Sequence, residues 1–309
     1  MIRLAVRVER SSAELVLAEL LELAPGGVEE VDRGSQVEYA LYGAPGELPS
    51  LPDLRAAAAA GGALVDVHTT EVPDDWSERW RSFHRPVLIA APPRAGGGLL
   101  TPAIRIRPPW EPSQGGGPGV LEIVIDPGQA FGTGAHASTR LCLELLLELS
   151  SERPPAGALL DVGCGSGVLA IVASKLGYTP VIALDNDPLS VQATRQNAAV
   201  NGVELDARRA DLRTAPLPLA DLDEGTGQAP VVVCNLLRGL LLELAGRLSR
   251  PPRALIASGL LAGEGEEVAG AFEAGLAMRT RRRIAAGGWE AVWLEGERAA
   301  RPEEPNAAG

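Results

Sequence analysis

Leu159-Leu160-Asp161-Val162-Gly163-Cys164-Gly165-Ser166-Gly167, the helical stretch Val168 to Leu176, and Ile182-Ala183-Leu184-Asp185-Asn186-Asp187 decide the fold of this chain. Leu159 to Val162 is a short apolar run of the kind that forms a buried parallel strand. Gly163, Gly165 and Gly167 allow a sharp turn and a close approach of backbone to ligand, where a Cβ would collide. Val168 to Leu176 is apolar with small residues and stops at Gly177, as a helix does. Asp185 closes the next strand, where a carboxylate can accept hydrogen bonds from both hydroxyls of a ribose. Strand, glycine turn, helix and acid-ended strand together make a nucleotide-binding crevice. The bland alternative is a tight turn in an α/β protein that binds nothing.

The spacing of the glycines separates two classes of adenosine cofactor. A dinucleotide site uses Gly-x-Gly-x-x-Gly, with the pyrophosphate on the helix N-terminus. Here the pattern is Gly-x-Gly-x-Gly, with Asp161 two residues before the first glycine. A carboxylate there would repel a pyrophosphate and suits a cofactor bearing a cationic sulfonium and an amino group. The expected cofactor is S-adenosylmethionine, with Asp161, Gly163, Gly165, Gly167 and Asp185 in its site.

The 309 residues leave room for a sizeable core and for two domains. A formal charge of −12 disfavours nonspecific binding to a polyanion and suits a basic partner. Arg279 to Arg283 is the main basic exception, and a solvated strand face accounts for it at least as well. Cys142, Cys164 and Cys234 lie singly, as do His68, His84 and His136, so no metal site is expected. Charges at Arg3, Arg7, Glu9 and Arg10 argue against a signal peptide, and no uncharged apolar run is long enough for a membrane span. A cytoplasmic location is expected.

Ile2 to Val8 alternates as a half-buried strand. Ser11 has capping-box spacing before a leucine-rich amphipathic helix that runs to about Ala24. Val28 to Val31 and Gln36 to Tyr42 read as a hairpin turning at Arg33-Gly34, a second helix runs from about Leu51 to Ala60, and Ala63 to His68 is a further strand. That order is a ferredoxin-like α+β domain. Trp76 and Trp80 share one face of a linker helix. Pro92 to Gly98 and Pro112 to Gly119 read as loops. The α/β pattern runs from Leu121 to about Leu294: a third strand ends at Asp211, Arg213 to Pro230 is a polar insertion outside the core, and a fourth strand ends at Asn235. Leu240 to Leu248 is helical, Ala254 to Ser258 a fifth strand, and Arg279–Ile284 with Ala291–Leu294 a final strand pair. The tail after Glu295 has a disordered composition.

Asp126-Pro-Gly-Gln-Ala-Phe131-Gly132-Thr133-Gly134-Ala-His136-Ala-Ser138-Thr139 is the second informative stretch. It is too glycine-rich for regular structure and precedes the apolar helix Leu141 to Leu149. Such a loop can fold over the cofactor, with Phe131, Gly132 and Thr133 near its polar tail. Simple capping by Ser138 or Thr139 is the competing explanation. His136 could assist removal of a proton from an amine, or could be a packed loop histidine. Asp187-Pro188 reads as a helix start and Asn201-Gly202 as a helix stop.

Asp126 to His136, Leu160 to Gly167 and Leu184-Asp-Asn-Asp-Pro188 together resemble the ribosomal protein L11 methyltransferase (PrmA) family. Asp75-Trp76 to Pro86 is similar to that family's linker helix, and Arg107-Pro-Pro-Trp110 to its following strand. The likeness is specific from about Asp74 to Ser258. It implies a small N-terminal domain that recognises the ribosomal protein, and a Rossmann-like class I methyltransferase domain. The implied reaction carries methyl groups from S-adenosylmethionine to lysine and N-terminal amines. The family's cofactor residues fall on Thr139, Gly163, Asp185 and Asn235, and Asn235 sits where the methyl group meets the nucleophile. Asp211 is either an adenine contact or a surface aspartate. Enzymes that methylate planar amides or base amines carry Asn-Pro-Pro-Tyr at this strand end. Here Asn235-Leu236-Leu237-Arg238 lacks the flat clamp, which favours an aliphatic amine. Ala137-Ser138 departs from the family's Pro-Thr pair.

The sequence therefore predicts an α/β fold with residues 1–72 as substrate-recognition domain, 73–85 as linker helix, 86–298 as methyltransferase domain and 299–309 as tail. The expected partner is a basic ribosomal protein. No direct specific nucleic-acid binding and no membrane contact are expected, and the protein should act as a monomer. Another basic protein or small amine as acceptor, a non-catalytic ribosome-associated binder, and a nicotinamide oxidoreductase are the rival readings.

Overall fold

The computed structural model describes residues 2–23, 28–43, 64–71, 84–90, 103–115, 117, 119–127, 132–219, 222 and 228–296. The predicted helix at 51–60, the linker helix, the loop at 92–98 and the tail lie outside them. Contacts divide the chain into two compact units, one ending at Arg85 and the other, apart from a short stretch at Pro127, starting at Pro86.

In the first unit, β1 (Ile2–Glu9) leads through a 3₁₀ turn at Arg10–Ser12 into α1 (Ala13–Leu23), followed by β2 (Glu29–Asp32), β3 (Gln36–Gly43) and β4 (Leu64–Glu71). The sheet order β2-β3-β1-β4, antiparallel throughout, is that of the ferredoxin-like arrangement. Period-two alternation explains its packing. Leu4, Val6 and Val8 of β1 and Val37, Tyr39 and Leu41 of β3 share a core with Val16 and Leu20 of α1. The helix does not start on a Ser11 cap. The 3₁₀ turn precedes it, and Glu9 in front of that turn makes no side-chain cap. The hairpin turns at Gly34 (φ 82°), whose N–H donates to Asp32 Oδ1 at 2.8 Å.

On the opposite sheet face Glu38 is only 1% exposed. Arg3, Arg7 and Arg33 donate to its carboxylate at 2.6, 2.8 and 3.2 Å. Burial alone would raise the Glu38 carboxyl, but the Arg7, Arg3 and Arg33 hydrogen bonds outweigh it and bring the group down to about 2.

In the second unit β5 (Val87–Ile89), β6 (Ala103–Arg107) and β7 (Val120–Val124) form a separate three-stranded sheet, antiparallel then parallel. The sequence reading had not separated this sheet. The strand resembling the family's after the linker ends at Arg107, and Pro108 to Glu111 form a turn instead. Proline supplies no N–H for a sheet ladder, so two in succession stop the strand there.

Then follow α2 (Ala137–Glu152), β8 (Leu159–Val162), α3 (Val168–Leu176), β9 (Val181–Asp185), α4 (Pro188–Asn201), β10 (Asp206–Arg209), β11 (Val231–Asn235), α5 (Arg238–Arg247), β12 (Ala254–Leu261), α6 (Gly265–Leu276), β13 (Met278–Ala286) and β14 (Trp289–Gly296). The seven-stranded sheet has the order β10-β9-β8-β11-β12-β14-β13. Its first five strands run parallel, and β14 is antiparallel to β12. Hydrophobic layers cover both faces: α2, α3 and α4 on one, α5 and α6 on the other. This is the Rossmann-like α/β architecture expected. Because strand order reverses between β8 and β11, a crevice opens at their carboxyl ends.

Two details differ from expectation. Leu219 and Leu222 are each 4% exposed and join the core beneath α5, so the 213–230 stretch is not wholly outside the core. Its leucines cover apolar surface that a polar, proline-rich composition conceals. The arginines of β13 are not a free basic face. Arg281, Arg282 and Arg283 pair with Glu152, Glu148 and Glu266. No helix among the described residues is long and apolar enough to cross a membrane.

The Glu38 cluster generates a prediction. A carboxyl held below its ordinary value stabilises the fold above that value, and the gain disappears as pH falls through the lowered one. Thermal stability should therefore decline from about pH 4.5 towards about 2. Glu38→Ala, which removes the acceptor shared by three guanidinium groups, should cost about 3 kcal/mol at neutral pH and flatten that decline. Unfolding midpoints of both proteins between pH 2 and 7 provide the check.

Candidate cofactor and methyl-transfer site

The glycine turn between β8 and α3 is held in left-handed backbone at Gly163 (φ 80°), Gly165 (φ 51°) and Gly167 (φ 82°). A Cβ at Gly163 would run into the Leu236 side chain, and one at Gly167 would sit 2.8 Å from Thr194 Cγ2. The turn spends its donors internally. Gly163 N and Cys164 N donate to Leu184 O at 2.8 and 3.0 Å, Gly167 N donates to Cys164 O, and Gly165 N donates to Asp185 Oδ2 at 2.9 Å. A pyrophosphate needs such donors pointing outward. This turn withholds them and places two carboxylates nearby, as a cationic cofactor requires.

Asp185 stands at the end of β9. Its second oxygen accepts from Asp187 N at 3.0 Å, so each carboxylate oxygen holds one N–H and keeps a further lone pair for a ribose hydroxyl. Burial raises its carboxyl above the ordinary aspartate range, offset in part by the Asp187 and Gly165 N–H groups. Asp187 is the α4 N-cap, accepting from Leu189 N and Ser190 N, with Pro188 in the first turn as expected.

Asp161 is fully buried. One carboxylate oxygen accepts from Ala170 N at 3.1 Å, and the other has no partner among the described residues. Burial raises its carboxyl, the Ala170 N–H lowers it, and the Asp185 charge raises it further, to about 7. Its surroundings also include the buried thiols of Cys142, Cys164 and Cys234. An unpartnered carboxylate oxygen under the glycine turn fits a cofactor with a positive charge and not one with a polyphosphate.

The loop before α2 meets the glycine turn. Ser166 Oγ, fully buried, donates to Gly132 O at 2.6 Å across 34 positions of sequence. Thr133 follows, half-buried. Phe131 lies outside the described residues. The cap of α2 is neither Ser138 nor Thr139 but His136, whose Nδ1 accepts from Ser138 N at 3.3 Å. Displaced one turn into the helix, Thr139 is free for another task. Its hydroxyl accepts from Asn235 Nδ2 at 3.1 Å, joining α2 to the end of β11. Asp211 is not at a strand end. β10 stops at Arg209, and Asp211 is exposed in the next turn, with Oδ1 accepting from Arg213 N at 2.9 Å. Ala210 N donates to Asp185 O, which brings that turn beside Asp185.

The sequence reading missed the polar face of α4. Thr194 Oγ1 donates to Gly165 O at 3.0 Å, and Asn197 Nδ2 donates to Ser166 O at 2.9 Å, while Asn197 Oδ1 accepts from Asp126 N at 3.0 Å. Asn201 exchanges both of its amide groups with Val124. Positions 194, 197 and 201 recur at helical spacing, so three buried polar residues on one face were a readable signal. They tie the glycine turn to the segment that enters the Asp126 loop.

A model described as ribosomal protein L11 methyltransferase (PrmA) matches residues 28–296. The ribosomal protein L11 methyltransferase of Bordetella bronchiseptica is 36% identical over 308 residues, covering 88% of this chain and 91% of that protein. The one from Burkholderia ambifaria is 32% identical, covering 87% and 90%. The match to the Symbiobacterium thermophilum protein is 38% identical over 203 residues and covers 57% of that protein. Among solved structures, the ribosomal protein L11 methylase of Lactobacillus delbrueckii subsp. bulgaricus is 30% identical, with a TM-score of 0.51, covering 62% of this chain and 94% of that one.

Two substitutions test the site. Asp185→Ala leaves two backbone N–H groups without their acceptor and should weaken S-adenosylmethionine binding at least tenfold by calorimetry, with a stability loss of about 1–3 kcal/mol. Asp161→Asn retains an acceptor for Ala170 N and removes the buried charge. A raised carboxyl costs stability progressively as pH rises from its unfolded value of 3.8 to about 7. The variant should therefore melt higher than the parent at pH 8. Equal melting temperatures there would refute the buried-charge account.

Proposed function

The chain belongs to the ribosomal protein L11 methyltransferase (PrmA) family, and from that premise we propose that it methylates lysine and N-terminal amines of ribosomal protein L11. It is an S-adenosylmethionine-dependent protein methyltransferase. Among the described residues, the contact between Asn235 and Thr139 carries the residue-level reading. It fixes a carboxamide at the carboxyl edge of β11, one strand from the glycine turn of β8.

When bound, S-adenosylmethionine supplies a methyl group made electrophilic by its sulfonium. In our reading Asp185 holds the ribose, and Gly163, Gly165 and Gly167 admit the cofactor backbone closely. Asp161 supplies negative charge beneath the turn, and Gly132 and Thr133 cover the polar tail with Phe131. Asp211 lies on the adenine side. Asn235, with its amide N–H given to Thr139, offers its carbonyl oxygen to an amine hydrogen and aligns the nitrogen lone pair. Leu236, wedged against Gly163 and Gly259, holds that strand end in place. The protein contributes positioning and exclusion of water rather than a reactive group of its own.

Residues 1–72 form the substrate-recognition domain in this proposal, 73–85 the linker and 86–298 the catalytic domain. A net charge of −12 suits a basic ribosomal protein and not a nucleic acid. The enzyme acts in the cytoplasm as a monomer.

The test is incubation with labelled S-adenosylmethionine and purified ribosomal protein L11, followed by intact and peptide mass spectrometry. Mass should rise in single-methyl steps at lysines or the N-terminus. Asn235→Ala should lower kcat by about two orders of magnitude. Cofactor binding without any methyl gain would move the weight to another acceptor.

A further inference from the structure

The ring of His136 meets that of Trp289 edge to face, with centroids 4.6 Å apart. His136 caps α2, and Trp289 opens β14 directly after the Gly287-Gly288 turn. A Cβ at Gly287 would touch Ala137 at 3.4 Å, so this turn lies against the first turn of α2. Thr139, three residues after His136, is the residue that holds Asn235. Residues three apart on a helix have Cβ atoms about 5–6 Å apart. His136 thus lies about one helical turn from the residue that holds Asn235, at the N-terminal end of α2, with Trp289 against it.

Sheet order fixes which side of Asn235 they occupy. Reading β9-β8-β11-β12-β14 places Asp185, then the glycine turn, then Asn235, and finally Trp289 on the side remote from Asp185 and the glycine turn. An acceptor that reaches Asn235 without displacing the cofactor enters from that remote side. We propose that His136 and Trp289 form the wall of the acceptor channel and flank the aliphatic stem of the incoming lysine. This rests on the reading that Asn235 marks the point of methyl transfer.

The chemistry of the pair suits the task. A lysine stem lies along apolar surface while its nitrogen continues to a polar partner. One helical turn matches the reach of its four-carbon stem, so rings at the channel mouth hold the stem when the nitrogen is at Asn235. Burial pushes the His136 imidazole down to about 4, so at neutral pH the ring carries no charge to repel an entering ammonium. The segment after Asn235 lacks an aromatic, and the indole from β14 supplies one from the other direction.

The test uses the full-length enzyme and purified ribosomal protein L11. Trp289→Ala should raise the KM for the acceptor about tenfold while the Kd for S-adenosylmethionine stays within twofold. Trp289→Phe should recover most of the loss. His136→Asn preserves an acceptor at the helix cap, removes the ring, and should raise KM in the same direction without lowering the unfolding midpoint. An unchanged acceptor KM in both Trp289→Ala and His136→Asn overturns the channel, as does a cofactor Kd that rises in step with KM. No methyl transfer by the wild-type enzyme to this acceptor overturns the proposed function and the channel together.

Discussion

The hydrogen bond from Gly165 N to Asp185 is the interaction on which the site depends. A strand–turn–helix crossing at Gly163–Gly167 has few conformations open to it, and positive φ at three glycines selects one. Backbone freedom also makes glycine costly to order, and something must hold the chosen turn. Asp185 does this from the neighbouring strand, and its other oxygen fixes Asp187, which in turn caps α4. One carboxylate therefore sets the turn, the start of the next helix and the geometry expected for the ribose. The parallel pairing of β8 with β9, Val162 opposite Leu184, puts that acid within reach of the turn.

Helix α4 completes the frame from behind. Thr194 and Asn197 bond carbonyls of the glycine turn, and Asn197 and Asn201 bond the backbone at Asp126 and Val124. These groups are buried, so each would cost free energy if left unpaired. The same helix thus registers the two glycine-rich loops against each other, and Ser166 to Gly132 joins them directly. The described ends of that loop, up to Pro127 and from Gly132, are thereby part of the site's scaffold.

The strand–glycine–helix–acid unit was legible because its residues are contiguous and each glycine has a steric reason. The caps were less so. Ser138 and Thr139 are good N-cap types, yet the cap falls two residues before Ser138 on His136, whose ring also meets Trp289. Asp211 looked like a strand end, but β10 is an edge strand only four residues long, and its last paired residue is Arg209. Trp289 was invisible as a site residue because its partner is 153 positions away in sequence. Polar residues spaced as 194, 197 and 201 carry a helical period, whereas a ring contact between a helix cap and a distant strand carries none.

Charge is distributed unevenly along the carboxyl edge of the sheet, and this orders the two reactants. Asp161 and Asp185 lie on β8 and β9, two carboxyls that burial raises above the ordinary aspartate range. The groups that join α2 to β11 and β14 are neutral, a carboxamide, a hydroxyl, an indole and an uncharged imidazole, while the carboxylate of Glu290, next to Trp289, accepts from Gly263 N and Gly265 N. In the proposed reading, an ammonium that enters beside these neutral groups gives up hydration, which lowers its proton affinity. A lysine must release its proton to solvent before attack, and desolvation among neutral groups lowers its affinity for that proton. Carboxylates placed two strands further along would instead favour the ammonium form of an incoming amine.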